Sequence, residues 1–244
     1  MLPFPIMIHR ENNPPQGQLM IAGNTTSTTT QNWIVPDRVT SICAVCVGCG
    51  FGGGGGLSYR NDIPVTPGET LVITIPVGGN VLVSRAGTPL VVAGSASGNT
   101  AGLGGKNANV INDGGGNGGT GRNISQSPTY YVGGGAGGYS GNGGTADATT
   151  GAGASGAGGG GGSARYVTGS PTTISPAGGV GLLGQGANGA PGGAGSGGSG
   201  RTYGGGSGTN SLVGSPTWSA GAVRIIWGPN RSYPFNAANV TPSV

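Results

Sequence analysis

Charge is scarce in this chain. Asp, Glu, Lys and Arg make up only 7% of its 244 residues, aromatics 5%, and there is a single histidine, His9. Each shortage excludes a class of function. The six acids (Glu11, Asp37, Asp62, Glu69, Asp113 and Asp147) include no close pair of the kind that acid–base chemistry needs. The lone histidine lies in a proline-rich stretch, which argues against a Ser/His/Asp site. Glycine is plentiful, yet no G-x-x-x-x-G-K-[ST] phosphate loop occurs. The sequence therefore predicts no enzyme and no cofactor. The basic residues (Arg10, Arg38, Arg60, Arg85, Lys106, Arg122, Arg165, Arg201, Arg224 and Arg231) are scattered without a run, so the net charge of +4 does not point to nucleic acid. No hydrophobic run approaches the length of a membrane span. The apolar start, Met1 to Ile8, is broken by Pro3 and Pro5 and has no basic lead, so no secretory signal is read there.

Cysteine is scarce too: three residues, an odd number, which builds no disulfide framework. Cys43, Cys46 and Cys49 have the spacing C-x-x-C-x-x-C, which invites a metal reading. Ile42 to Val47, however, reads as a strand, and residues three apart on a strand face opposite sides. The expectation is three buried, reduced thiols and no metal site.

What the chain has instead is glycine, 60 residues of it, with 17 prolines. Much of the glycine recurs at every third position: Gly50, Gly53, Gly56; Gly135, Gly138, Gly141, Gly144; Gly153, Gly156, Gly159, Gly162; and Gly186, Gly189, Gly192, Gly195, Gly198. A period of three matches neither α-helix nor β-strand. It matches the left-handed threefold extended helix, in which every third residue faces the same neighbour. Glycine there lets two backbones approach closely enough to hydrogen-bond. Collagen would need an unbroken repeat and more proline. Irregular loops on a β-sandwich are the competing reading.

The predicted fold class is mainly β: a small β-sandwich base carrying polyglycine II-like helices and loops, with essentially no α-helix. Residues 1–30 read as an extended docking arm, because Pro3, Pro5, Pro14 and Pro15 preclude a helix. Residues 31–230 read as one domain, with strands near 33–47, 57–93 and 220–227 and a glycine lattice over 94–210. Val39 to Val47 is apolar on both faces and should be covered on both. Thr66-Pro67-Gly68-Glu69 reads as a turn, and a hairpin is expected around Gly87-Thr88. Residues 231–244 read as an irregular tail and second docking element. Short inserts interrupt the glycine at 107–113, 122–132, 164–176, 181–183 and 201–203, and should cluster at the two ends of the lattice.

The stretch Trp33-Ile34-Val35-Pro36-Asp37-Arg38-Val39-Thr40-Ser41-Ile42, followed by Val47-Gly48-Cys49-Gly50 and a glycine run, resembles the glycine-rich domain proteins of tailed-phage virions. Val65-Thr66-Pro67-Gly68-Glu69-Thr70-Leu71 is similar to the next strand of that group. The ending, from Gly221-Ala222-Val223-Arg224-Ile225-Ile226-Trp227 through Gly228-Pro229-Asn230-Arg231-Ser232-Tyr233-Pro234, is similar to C-termini of structural proteins from T4-like marine phages, including cyanophages. A looser likeness is to the tip adhesins of T-even-type long tail fibres, although no counterpart of their fibre-attachment domain is seen. The resemblance implies a virion protein, made in the host cytoplasm, at a tail fibre, tail tip or baseplate, where glycine-supported loops contact the host. A head decoration, head fibre or tail connector subunit that binds no receptor is the alternative.

On the adhesin reading, the contacts fall to inserts bearing aromatic, amide and guanidinium groups: Arg122, Asn123, Tyr130, Tyr131, Tyr139, Arg165, Tyr166, Arg201 and Tyr203. Tyrosine suits a saccharide or protein surface, since it buries a large apolar face and keeps a polar handle. Capping of the lattice edge is the alternative role for each tyrosine. The expected partners are other virion proteins, reached through the arm and the tail, and a host saccharide or outer-membrane protein, with the chain in an oligomer within the particle.

Overall fold

A computed structural model of the chain describes residues 15–102, 104, 112–124, 130–147, 153–163, 165–166, 173–174, 177–190, 192, 203–207, 209–210 and 217–239. Among these there is no helix. The strands of the base are β1 (Gly17–Ala22), β2 (Thr29–Ile34), β3 (Ser41–Val47), β4 (Leu57–Pro64), β5 (Thr70–Ile75), β6 (Val81–Arg85), β7 (Thr88–Ala93) and the short β8 (Gly114–Gly116). Five small strands follow: β9 (Arg122–Ile124), β10 (Tyr130–Val132), β11 (Arg165–Tyr166), β12 (Thr173–Ile174) and β13 (Thr209–Asn210). β14 (Ala222–Trp227) returns to the base.

Two antiparallel sheets face each other. One has the order β1-β14-β3-β4-β8, the other β2-β5-β6-β7. Local chemistry sets the connections. Pro67 and Gly68 (φ 81°) turn the chain between β4 and β5, closed by the Glu69 N–H donating to the Thr66 carbonyl at 3.0 Å. Ala86 (φ 45°) and Gly87 (φ 80°) make the two-residue turn that pairs Arg85 with Thr88, which is the hairpin expected there.

Alternation then divides the side chains. Leu71, Ile73 and Ile75 of β5 and Val81 and Val83 of β6 meet Ile42, Ala44 and Cys46 of β3 and Val223 and Ile225 of β14 in the core between the sheets. Each Leu, Ile or Val among them contributes about 1.5–3 kcal/mol by leaving water. The other residues of β3 and β14 (Cys43, Val45, Val47, Ala222 and Ile226) point away and form a second cluster with Ala136, Tyr139, Val180, Leu182, Tyr233 and Ala237. β3 is therefore covered on both faces, and Cys43 and Cys46 lie on opposite ones. All three cysteines are buried and free. The molecule has three layers: a four-stranded sheet, a five-stranded sheet, and a glycine-rich layer on the outer face of the latter.

Arg224 enters that second interface fully buried. Its Nε and Nη2 donate to Gln18 Oε1 at 3.0 and 2.7 Å, its Nη1 to the carbonyls of Leu182 (2.9 Å) and Ala237, and its Nη2 to that of Ala238 (3.0 Å). Oxygen dipoles surround the guanidinium, and its forked donors suit such a constellation.

One expectation about the ends of the chain is corrected here. Residues 17–30 are not a free arm: β1 pairs with β14 along its full length, and Thr29 begins β2, which pairs with β5. Ile21 belongs to the core and Leu19 packs against it, and burial of these apolar groups holds the extended segment on its own domain. Residues 1–14 of the expected arm lie outside the described residues. The described part of the tail, 231–239, is irregular as expected, but it packs on its own domain. Tyr233 and Ala237 are buried against the five-stranded sheet, and Asn61 Nδ2 donates to the Tyr233 carbonyl at 2.9 Å.

Candidate functional site

The glycine layer is a lattice with period three. Along 133–138, Gly134 and Gly137 donate to the carbonyls of Gly52 and Gly55 (3.0 and 2.8 Å), Gly135 and Gly138 to those of Gly144 and Gly141 (2.8 and 2.9 Å), and Ala136 to that of Gly178 (3.0 Å). The same rhythm recurs along 143–147. Gly143 and Ala146 donate to Asn117 and Thr120, while Gly144 and Asp147 donate to Gly160 and Ser163. It recurs again along 153–157, where Gly153 and Gly156 reach Gly192 and Gly189, and Ala154 and Ala157 reach Thr145 and Asn142. Successive residues address three different neighbours and every third residue returns to the first, as a threefold extended helix requires.

Absence of a side chain is what permits this contact. A Cβ at Gly160 would overlap the Gly178 carbonyl, one at Gly54 that of Gly135, and one at Gly118 that of Gly54. Buried polar groups demand partners, and here each backbone supplies them to the next.

The runs have two ends of different character. At one, reversals are tight: Gly138 bonds to Gly141 across Tyr139-Ser140, Gly158 (φ 69°) turns beside Asn188, and Gly184 (φ 92°) closes the bend at Leu182-Leu183. At the other, direct hydrogen bonds join residues at the mouths of the long inserts. Gly121 bonds to Asn99, Ser163 to Gly133, Asp147 to Ser163, Ala177 to Gly206, Gly206 to Gly134, and Ser207 to Phe51. The inserts after Gly121, Asp147, Ser163 and Ser207 therefore leave the lattice side by side. The described parts of the expected inserts 107–113 and 201–203, together with 181–183, lie toward the tight end.

The insert end carries its own small sheets. β10 pairs with β9 and with β13, and β11 pairs with β12, which lies against β10. Register places Asn123 opposite Tyr131, and Tyr131 opposite Thr209. Arg122 and Asn123 are exposed and Tyr131 is half-buried. Tyr130 is in β10, and Arg165 and Tyr166 form β11. Six of the nine residues expected to meet a partner are thus collected at one end. Arg201 lies outside the described residues.

Tyr139 and Tyr203 depart from the expectation. Tyr139 is only 3% exposed and donates from its hydroxyl to the Gly181 carbonyl at 3.1 Å. It stacks on Tyr233 (centroids 5.9 Å) and meets Tyr59 at the same distance, so it binds layers together and cannot touch a receptor. Burial pushes its phenol, and that of Tyr233, well above the ordinary range. Tyr203 is half-buried at the tight end, bonded to Val180 by 2.8 and 3.2 Å backbone hydrogen bonds.

Thr209 and Asn210 were not expected at the site. Their pairing with Tyr131 and Tyr130 joins segments nearly eighty residues apart, and the only local signal is that they follow the last glycine run. Among the described residues, no group of three or more His, Cys, Asp or Glu is placed to hold a metal. The described residues at this end offer a presented surface of amide, guanidinium and phenol groups.

No protein-family model, curated protein or solved structure matches this chain.

Proposed function

We propose that this chain is a structural protein of a tailed-phage virion whose insert-bearing end recognises the host surface, at a tail fibre, tail tip or baseplate. The single observation behind this reading is the grouping of inserts on one end of a lattice braced by backbone hydrogen bonds. A stiff support reduces the ordering cost of binding, because its loops are already held when a ligand arrives. Arg122, Asn123 and Tyr131 form the part of the surface that the argument names. An exposed guanidinium and amide beside a tyrosine suit a saccharide or a polar protein face. The sequence likeness to virion glycine-rich proteins supports the same reading, and no catalytic step is part of it.

The test uses labelled recombinant protein on host cells, scored by flow cytometry, together with antibody labelling of purified particles. Saturable binding is expected, and Arg122→Ala/Asn123→Ala/Tyr131→Ala should weaken it at least tenfold while leaving the melting temperature within about 2 °C. Labelled particles with no cell binding would replace the adhesin role with that of a non-receptor structural subunit. Unlabelled particles would remove the virion assignment itself.

A further inference from the structure

Asparagine is followed by glycine three times in this chain, at Asn117-Gly118, Asn142-Gly143 and Asn188-Gly189. All three pairs lie in the glycine layer, and each asparagine side chain caps a backbone donor of a neighbouring segment. Asn117 Oδ1 accepts from the Gly104 N–H at 2.8 Å, Asn142 Oδ1 from the Asn117 N–H at 3.0 Å, and Asn188 Oδ1 from the Gly158 N–H at 2.8 Å. A side-chain amide oxygen suits this place because it accepts as a peptide carbonyl does. The glycine that follows is engaged as well. The N–H groups of Gly118, Gly143 and Gly189 donate to the carbonyls of Gly102 (2.9 Å), Asn117 (2.8 Å) and Gly159 (2.9 Å). All three glycines are buried. A Cβ at Gly118 would overlap the Gly54 carbonyl and one at Gly143 that of Gly135, so close packing demands glycine after these two asparagines.

The same dipeptide carries a chemical liability. With no side chain on its second residue, the glycine nitrogen can reach the asparagine Cγ. Attack there, with loss of the N–H proton, forms a succinimide and expels ammonia. Water then opens the ring to aspartate or isoaspartate. The net change is one water consumed and one ammonia released, with no redox step. In this fold both reacting groups are tied. The side chain must leave the donor it caps and swing back over its own backbone, and the glycine N–H must leave its carbonyl. Losing both bonds together is a local opening of the lattice. An aspartate product keeps an acceptor at the cap. An isoaspartate product routes the backbone through the former side chain and lengthens it by one methylene. Later residues of the run are then out of step with neighbours met at intervals of three.

We infer that Asn117, Asn142 and Asn188 are latent modification sites, shielded by the closed lattice and exposed by its local opening, and that isoaspartate formed there keeps the opened run from closing again. None of this depends on the proposed function.

Peptide mapping of isoaspartate tests it. Full-length protein is held in warm, mildly alkaline buffer, either folded or unfolded in concentrated guanidinium. Formation at each of the three sites should be at least tenfold slower in the folded protein, and similar rates would overturn the shielding. Gly160→Ala crowds the run that accepts from Gly144, so it should speed modification of Asn142 in the folded protein at least tenfold, whereas Gly186→Ala should leave it unchanged. Equal rates in the two variants would uncouple the chemistry from the lattice and overturn the inference. If Gly160→Ala does not fold, guanidinium below the unfolding transition takes its place. Modification of Asn142 and hydrogen exchange of the Gly143 amide should then rise together, and a rise in exchange alone would refute the link. Folded molecules bearing isoaspartate at 142, separated by ion exchange, should exchange the amides of Gly143, Gly144 and Ala146 at least tenfold faster than unmodified protein. Unchanged exchange would show that the run closes normally around the product.

Discussion

Glycine is used here for what it lacks, and the consequence differs from one position to the next. At Gly160 an added methyl would meet the Gly178 carbonyl, with backbone on both sides and no flexible group to yield. At Gly186 the same methyl would meet open space. Gly160→Ala should therefore cost about 2–3 kcal/mol or more through overpacking and lost hydrogen bonds. Gly186→Ala should stay within about 0.5 kcal/mol. Denaturant midpoints of the two variants check this, and equal midpoints would refute close packing at Gly160. Gly160 lies within the unbroken glycine stretch 158–162 and Gly186 opens a triplet run, but neither setting names the backbone that will face it. Likewise Tyr139 and Tyr131 each follow glycine or tyrosine in similar surroundings, yet one is buried between layers and the other borders the insert sheet.

At the level of elements, alternation and turn residues announced β5, the β6–β7 hairpin and the doubly covered β3. β1 was hidden. Its segment, GQLMIA, is short, begins with glycine and follows two prolines, so it resembled an arm. Only its match with β14 makes it a strand, since Leu19 and Ile21 then gain a core and Gln18 meets the Arg224 guanidinium. Deleting residues 1–30 should consequently abolish folding and not leave an intact base. It would strip β1 from the five-stranded sheet, remove the first two residues of β2, and leave buried Arg224 short of an acceptor. Loss of a cooperative thermal transition is the expected result. A cooperative melt near that of the full chain would show that β1 is dispensable.

On the scale of the molecule, the layers are tied by groups that must stay neutral. Burial raises the Cys46 thiol, between the two sheets, and the Tyr139 and Tyr233 phenols, between sheet and lattice. All three have folded pKa values above their ordinary ones, 9.0 for the thiol and 10.0 for the phenols. Their contribution is complete below those values and is lost as pH climbs toward the raised ones, because the unfolded chain sheds its protons first. The melting temperature should thus stay nearly level from pH 7 to about 9 and fall beyond it. Tyr139→Phe should melt lower at pH 7, having lost its bond to Gly181, but decline less steeply above pH 10. A parallel decline of both proteins would show that Tyr139 ionises freely in the fold.

The sequence by itself determined the materials of this protein. Periodic glycine called for threefold helices, and alternating apolar residues called for strands. These are properties of short windows, where backbone geometry and burial follow from the nearest few residues. Tertiary structure decided which end of the lattice gathers the long inserts, that Tyr139 serves packing, and that Thr209 and Asn210 stand beside Tyr131 and Tyr130. Those outcomes depend on which glycine run hydrogen-bonds to which. Runs without side chains carry almost no local mark of their partners, so the choice is made by the whole set of backbone bonds closing together.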